Sequence, residues 1–171
     1  LSWTPDIDTT NTNASNLVSG TLPDARFPAV LPASSGANLT SLPTSLDATP
    51  TTDHTANGPQ TNTVAAGYSS TIMDLVYLNA NGKWLEADAD ATGTSINLLG
   101  IALEAKTDTQ VMNVALSGSF VRDDTWAWTI GVPLYVSGTL GAITATKPTG
   151  SGDVVRTVGY AVTADVIFFA P

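Results

Sequence analysis

Gly152-Asp153-Val154-Val155-Arg156-Thr157-Val158-Gly159-Tyr160-Ala161-Val162 is followed by Thr163-Ala164-Asp165 and then by Val166-Ile167-Phe168-Phe169-Ala170-Pro171. The first run is rich in β-branched residues and alternates in size, which reads as a strand. Val154, Arg156, Val158, Tyr160 and Val162 fall on one face. Thr157, Gly159 and Ala161 fall on the other, small enough for another chain or sheet to approach closely. Thr163 to Asp165 is a turn candidate, and Val166 to Phe169 reads as the return strand. Pro171 stops it, because proline cannot donate to a ladder. The chain is therefore predicted to end on a hairpin in the core of a β-domain.

Upstream of this hairpin, segments of the same kind recur. Thr71 to Leu78 reads as a strand, Asn79-Ala80-Asn81-Gly82 as a turn, and Lys83 to Ala87 as the second arm of a hairpin. Ile96 to Leu103 reads as a buried strand in which Gly100 marks a bulge or a close backbone approach. Gln110 to Leu116 alternates, and Ser119 to Arg122 continues past Gly118. Asp123 to Thr129 places Trp126 and Trp128 on one face. Val132 to Val136 is a short strand whose Pro133 suggests an edge or a bulge, and Ala142 to Thr146 follows. Turns recur at the spacing of sandwiches and small barrels, with no segment of helical period. The predicted fold class is all-β: a compact C-terminal β-sandwich or small barrel over residues 68–171.

Residues 1–67 have a different texture, dominated by Thr, Ser, Asn, Ala and Pro. Ala14-Ser15-Asn16-Leu17-Val18-Ser19-Gly20-Thr21-Leu22-Pro23 is echoed by Ala37-Asn38-Leu39-Thr40-Ser41-Leu42-Pro43. Leu-Pro also occurs at Leu31-Pro32. Each proline biases the residue before it to an extended conformation. A solvated linker is one reading. The reading preferred is an extended, intertwined stalk in which Leu17, Leu22, Phe27, Val30, Leu31, Leu39 and Leu42 meet their symmetry mates on an axis.

Only 12% of residues are charged, against about 25% in a typical domain, which favours a structural or extracellular β-protein over a cytosolic enzyme. The net charge is −9, and the six basic residues are scattered. No electrostatic footprint for nucleic acid or for an anionic membrane results. No apolar run approaches the length of a membrane span, and no signal peptide opens the sequence. The start at Leu1, without methionine, is expected of a fragment or processed product. The absence of cysteine rules out disulfides and thiolate metal sites.

Several pieces, in order, resemble a domain recurrent at the C-terminal end of bacteriophage virion proteins, especially tail fibres and other appendages. They include Asp74-Leu75-Val76-Tyr77-Leu78, Asn81-Gly82-Lys83-Trp84, Gly100-Ile101-Ala102-Leu103-Glu104 and Gly118-Ser119-Phe120-Val121-Arg122. Gly131-Val132-Pro133-Leu134-Tyr135-Val136-Ser137 and Pro148 to Tyr160 continue the match, which spans roughly residues 71–171. Residues 14–28 also resemble the repeats of phage fibre shafts. The chain departs from the pattern at Met73, where glycine usually precedes the aspartate. The resemblance implies a homotrimer on the virion surface. The same resemblance implies attachment to other virion proteins at the N-terminal end and contact with a host-surface glycan at the tip. Capsid decoration proteins of related appearance supply a second reading, a cement protein stabilising the head.

No catalytic, cofactor or metal site is expected. A nucleophilic triad has only His54 to draw on, in the polar segment, where it reads as a solvated loop residue. Asp88-x-Asp90 and Asp123-Asp124 are the close acidic pairs, suited to Ca²⁺ or to glycoside hydrolysis, but they read first as acidic loops. Trp126, Trp128 and Tyr135 are candidates for core or interface packing and, if exposed, for stacking on sugar rings. That second role would make the chain a stand-alone carbohydrate-binding module. Trp84 is read in the same way. Arg122 and Arg156, within apolar strands, are each expected to pair with a carboxylate, across a subunit boundary or within the chain.

Overall fold

The computed structural model describes residues 46–171. The proposed axis contacts Leu17, Leu22, Phe27, Leu31, Leu39 and Leu42, with the Leu-Pro repeats, lie outside the described residues.

The described chain runs through β1 (Thr55–Asn57), β2 (Gln60–Ala65), β3 (Leu75–Leu78), β4 (Trp84–Glu86), a single turn α1 (Thr92–Ser95), β5 (Leu99–Ala102) and β6 (Val111–Ala115). It continues through β7 (Ser119–Arg122), β8 (Pro133–Val136), β9 (Ile143–Thr144), β10 (Thr157–Ala161) and β11 (Val166–Phe169). The strands form two antiparallel sheets, in the orders β1-β7-β11-β10-β8-β9 and β2-β6-β5-β3-β4. Together they make a β-sandwich. The closing hairpin β10–β11 occupies the middle of the first sheet, as its apolar run predicts.

The inter-sheet core takes Leu75, Leu99, Ile101 and Ala115 from one sheet and Val121, Leu134, Val136, Val158, Ile167 and Phe169 from the other. A second cluster, Val76, Trp84, Ala102, Met112 and Val114 with Ala66, covers the outer face of the β3–β5–β6 region. Just after β2 the chain meets β4, with Ala66 bridged to Trp84, and Val64 and Tyr68 pack against the same cluster. This double burial explains why β5 reads as a continuous apolar run: all four of its residues are buried. A Cβ on Gly100 would run into Val114 Cγ1 and lie 3.0 Å from Ala115 O and 3.6 Å from Trp84 Cη2. Gly100 therefore marks close approach of neighbouring groups. Trp84 is 1% exposed, a core residue rather than a surface aromatic.

The domain boundary predicted at residues 67/68 is too late. β1 pairs with β7, β2 pairs with β6, and the unit containing them runs Thr44–Pro171. Both are edge strands, and β2 (Gln-Thr-Asn-Thr-Val-Ala) keeps half its residues exposed. A strand that buries little needs no apolar alternation, so its sequence looks like linker. The chain passes between the sheets at β1–β2 and again at β6–β7. The Pro59 carbonyl accepts from Leu116 N (2.9 Å) and from the buried Ser119 hydroxyl (2.8 Å), tying the two crossings together.

Further differences are local. Residues 123–132 form a loop rather than a strand. Pro133 sits at the first position of β8, which lies between β10 and β9, so it costs no interior ladder bond. The β10–β8 register shifts between Thr157 and Gly159. This irregularity breaks the predicted alternation: Val158 is buried in the core, whereas Tyr160 is 50% exposed. Met73 has φ 69°, the left-handed region that favours glycine.

Replacing Gly100 with alanine should destabilise the domain by about 1–3 kcal/mol through overpacking against Val114. Urea denaturation of the Gly100→Ala protein checks this; an unchanged midpoint would contradict the packing described.

Candidate functional site

The β1–β7 register pairs Thr55 with Arg122. One step further along the antiparallel pair, His54 meets Asp123. His54 Nε2 lies 3.8 Å from Asp123 Oδ1, and His54 Nδ1 lies 3.5 Å from Asp53 Oδ2. The three side chains each offer a ligand atom within 4.8 Å of the others. Asp53 Oδ1 accepts from Asp124 N (2.8 Å) and His54 N (2.9 Å). The Asp124 amide, foremost, holds the Asp53 carboxyl below its ordinary range. Asp123 is 6% exposed, and its Oδ1 accepts from both Thr125 N and Thr125 Oγ1. Arg122 spans this junction, with Nε 2.5 Å from Asp124 and Nη2 3.4 Å from Asp165. Its expected ion pair is thus made within the chain. His54 lies in the turn before β1, with φ 54° and its side chain 34% exposed; it is a loop residue, as read from the sequence, but its ring sits between two carboxylates. Nothing in a polar, Thr-rich stretch signals an edge strand that aligns residue 54 with residue 123.

Trp126 and Trp128 are brought together, their rings 5.8 Å apart and tilted at 53°. Both are half-buried against the inter-sheet core. Trp128 Nε1 is buried without a partner among the described residues, so that edge of the indole faces protein rather than a ligand. Tyr135 does not join them. It alternates with the buried Leu134 and Val136 and so points to the outer face of the six-stranded sheet. Cross-strand register places Phe120 opposite Phe168, Phe168 opposite Tyr160, and Tyr160 opposite Pro133 on that same face. Phe120 and Phe168 are 5.0 Å apart. An apolar row therefore crosses the sheet. Its members sit on four different strands, so no local sequence pattern reveals it.

The acidic pairs are engaged locally. Asp88 Oδ1 accepts from Asp90 N and Thr94 Oγ1, and the Asp88 carbonyl accepts from Ser95 Oγ. Asp88 thus fastens α1 rather than facing Asp90 across a substrate gap. Arg156 finds no carboxylate among the described residues, so the expected ion pair is not made within the described part of the chain. Its Nη1 donates to the carbonyls of Ser95 (2.6 Å) and Asn97 (2.7 Å), the free acceptors after a single helical turn. Burial lowers its pKa from the ordinary value.

Tyr68 donates to Asp74 Oδ2 at 2.7 Å. Burial, then that bond, pushes the phenol well above its ordinary range. Glu86 is also raised, by burial first and by Asp74 second. No family model matches the chain, and none of the curated proteins or solved structures compared with it gives a match.

The raised Glu86 carboxyl has a definite sign. The folded state disfavours its ionised form, so the penalty is absent below the ordinary value of 4.5 and grows as pH rises through that value toward the folded one. Glu86→Gln should therefore be more stable than the parent at neutral pH, with the difference vanishing in acid. Thermal melts of both proteins across pH 3–8 test this, and an equal gap at every pH would contradict it.

Proposed function

We propose that the chain is a non-enzymatic structural component of a phage particle, a trimeric appendage serving virion assembly and host-surface attachment. The ordered resemblance of residues 71–171 to phage appendage domains supports the reading, and so do the Leu-Pro repeats upstream. The observation that carries it furthest is the contrast between the outer faces of the two sheets. One carries the second apolar cluster, against which Val64 and Tyr68 pack. The other presents the Phe120–Phe168–Tyr160 row, with Tyr160 half exposed. A row of this kind suits contact with further copies of the chain. Placement on the particle surface, with other virion proteins at the N-terminal end and a host glycan at the tip, follows from the same reading. A capsid decoration role shares the fold and differs in the N-terminal arm, which would then lie along the shell.

Light scattering on the full chain should give three times the chain mass. Tyr160→Glu, at an exposed position, should keep the far-UV spectrum and lower the mass toward that of one chain. A monomeric parent protein would contradict the trimeric appendage. A Tyr160→Glu protein that remains trimeric would remove the outer face from the assembly.

A further inference from the structure

We infer that His54 and Asp123 form a binding site for a divalent transition cation of the zinc class, with Asp53 orienting the imidazole. The argument starts from charge. Four carboxylates, Asp53, Asp123, Asp124 and Asp165, gather where β1 enters and β7 ends, and Arg122 forms salt bridges with Asp124 and Asp165 alone among them. Asp53 and Asp123 have only His54 between them. Asp123 is the unusual member. Its side chain is 8% exposed, and only its Oδ1 receives hydrogen bonds from described residues. A carboxylate this far withdrawn from water is stabilised by a positive charge beside it, and the oxygen that Thr125 holds in place is the one facing His54 Nε2.

The geometry fits a metal better than a direct contact. The 3.8 Å between His54 Nε2 and Asp123 Oδ1 exceeds hydrogen-bond reach. It lies within the span of two ligands on one ion with bonds of about 2.0–2.2 Å. On the opposite side of the ring, Nδ1 faces Asp53 Oδ2 at 3.5 Å. A metal-bound imidazole usually directs its second nitrogen to a carboxylate, which fixes the tautomer and the ring plane. Asp53 is in turn anchored through its other oxygen by two backbone amides. Imidazole together with carboxylate selects zinc-like ions over calcium, which prefers oxygen alone. The ion would fasten the entry of the three-residue edge strand β1 to the end of β7, 69 positions along the chain.

The chain has a single histidine, so its imidazole gives an isolated NMR signal. Full-length protein stripped with chelator and titrated with Zn²⁺ alone should bind one ion per chain. The Nε2 resonance should move on binding while Nδ1 stays protonated. Asp123→Asn and His54→Asn should weaken binding at least tenfold. Asparagine preserves a hydrogen-bonding side chain at position 123 and tolerates the left-handed backbone at 54. Asp53→Asn should weaken it about tenfold while the Nε2 shift persists. Matching circular dichroism spectra without metal establish that the variants are folded. The inference is overturned if Zn²⁺ leaves the imidazole resonances unmoved, if coordination is through Nδ1, or if folded Asp123→Asn binds as tightly as the parent. Equal saturation by Ca²⁺ without a histidine shift also overturns it, reducing the feature to general attraction by surface carboxylates.

Discussion

The Pro59 carbonyl holds the sandwich together at the point where its two sheets exchange strands. The chain crosses between sheets twice, at β1–β2 and at β6–β7, and the two crossings lie against each other. Leu116 N and the buried Ser119 hydroxyl both donate to Pro59 O, while Gly118 N donates to Phe169 O in the closing hairpin. A Cβ on Gly58 would lie 2.6 Å from Ser119 Cα, so the approach admits no side chain there. Each hydrogen bond is worth only about 0.5–1.5 kcal/mol net. Their effect is geometric: they fix β1 and β2 on opposite sheets. Everything downstream of that placement, including the alignment of His54 with Asp123, depends on it.

The sequence was most legible where strands bury apolar residues. The closing hairpin, the β3–β4 hairpin around Gly82 and the β6–β7 succession could all be read from residue type and period. The same rule explains the failures. Thr55–Asn57 and Gln60–Ala65 are edge strands with mostly polar or partly exposed residues, so they carry no period-two signal and resemble the polar sequence before them. The irregularity in β10 moved Tyr160 to the outer face although Val158 remained in the core, an outcome set by pairing with β8 rather than by β10 itself. Trp126 and Trp128 were correctly paired on one side, but Tyr135 belongs to another surface because β8 alternates independently of the preceding loop. Arg156 was expected to seek a carboxylate. The carbonyls left by the one-turn helix offered a nearer acceptor, and such partners are invisible until the loop is placed.

These features divide the domain into a rigid interior and two surfaces with different chemistry. The outer face of the six-stranded sheet is apolar and crosses several strands, which suits a broad protein contact more than a small-molecule pocket. The β1–β7 junction is acidic and half-buried and contains the chain's only imidazole. Under the proposed appendage reading, the apolar row is the face offered for contact between copies.

The most direct test of the crossing is equilibrium urea unfolding of two proteins, residues 44–171 and residues 68–171. If the paired crossings specify the sandwich, the longer protein unfolds in one cooperative transition, and the shorter lacks that transition or shows a much reduced slope. An identical midpoint and slope for both would contradict the account, because β1, β2 and the Pro59 contacts would then be dispensable for the fold.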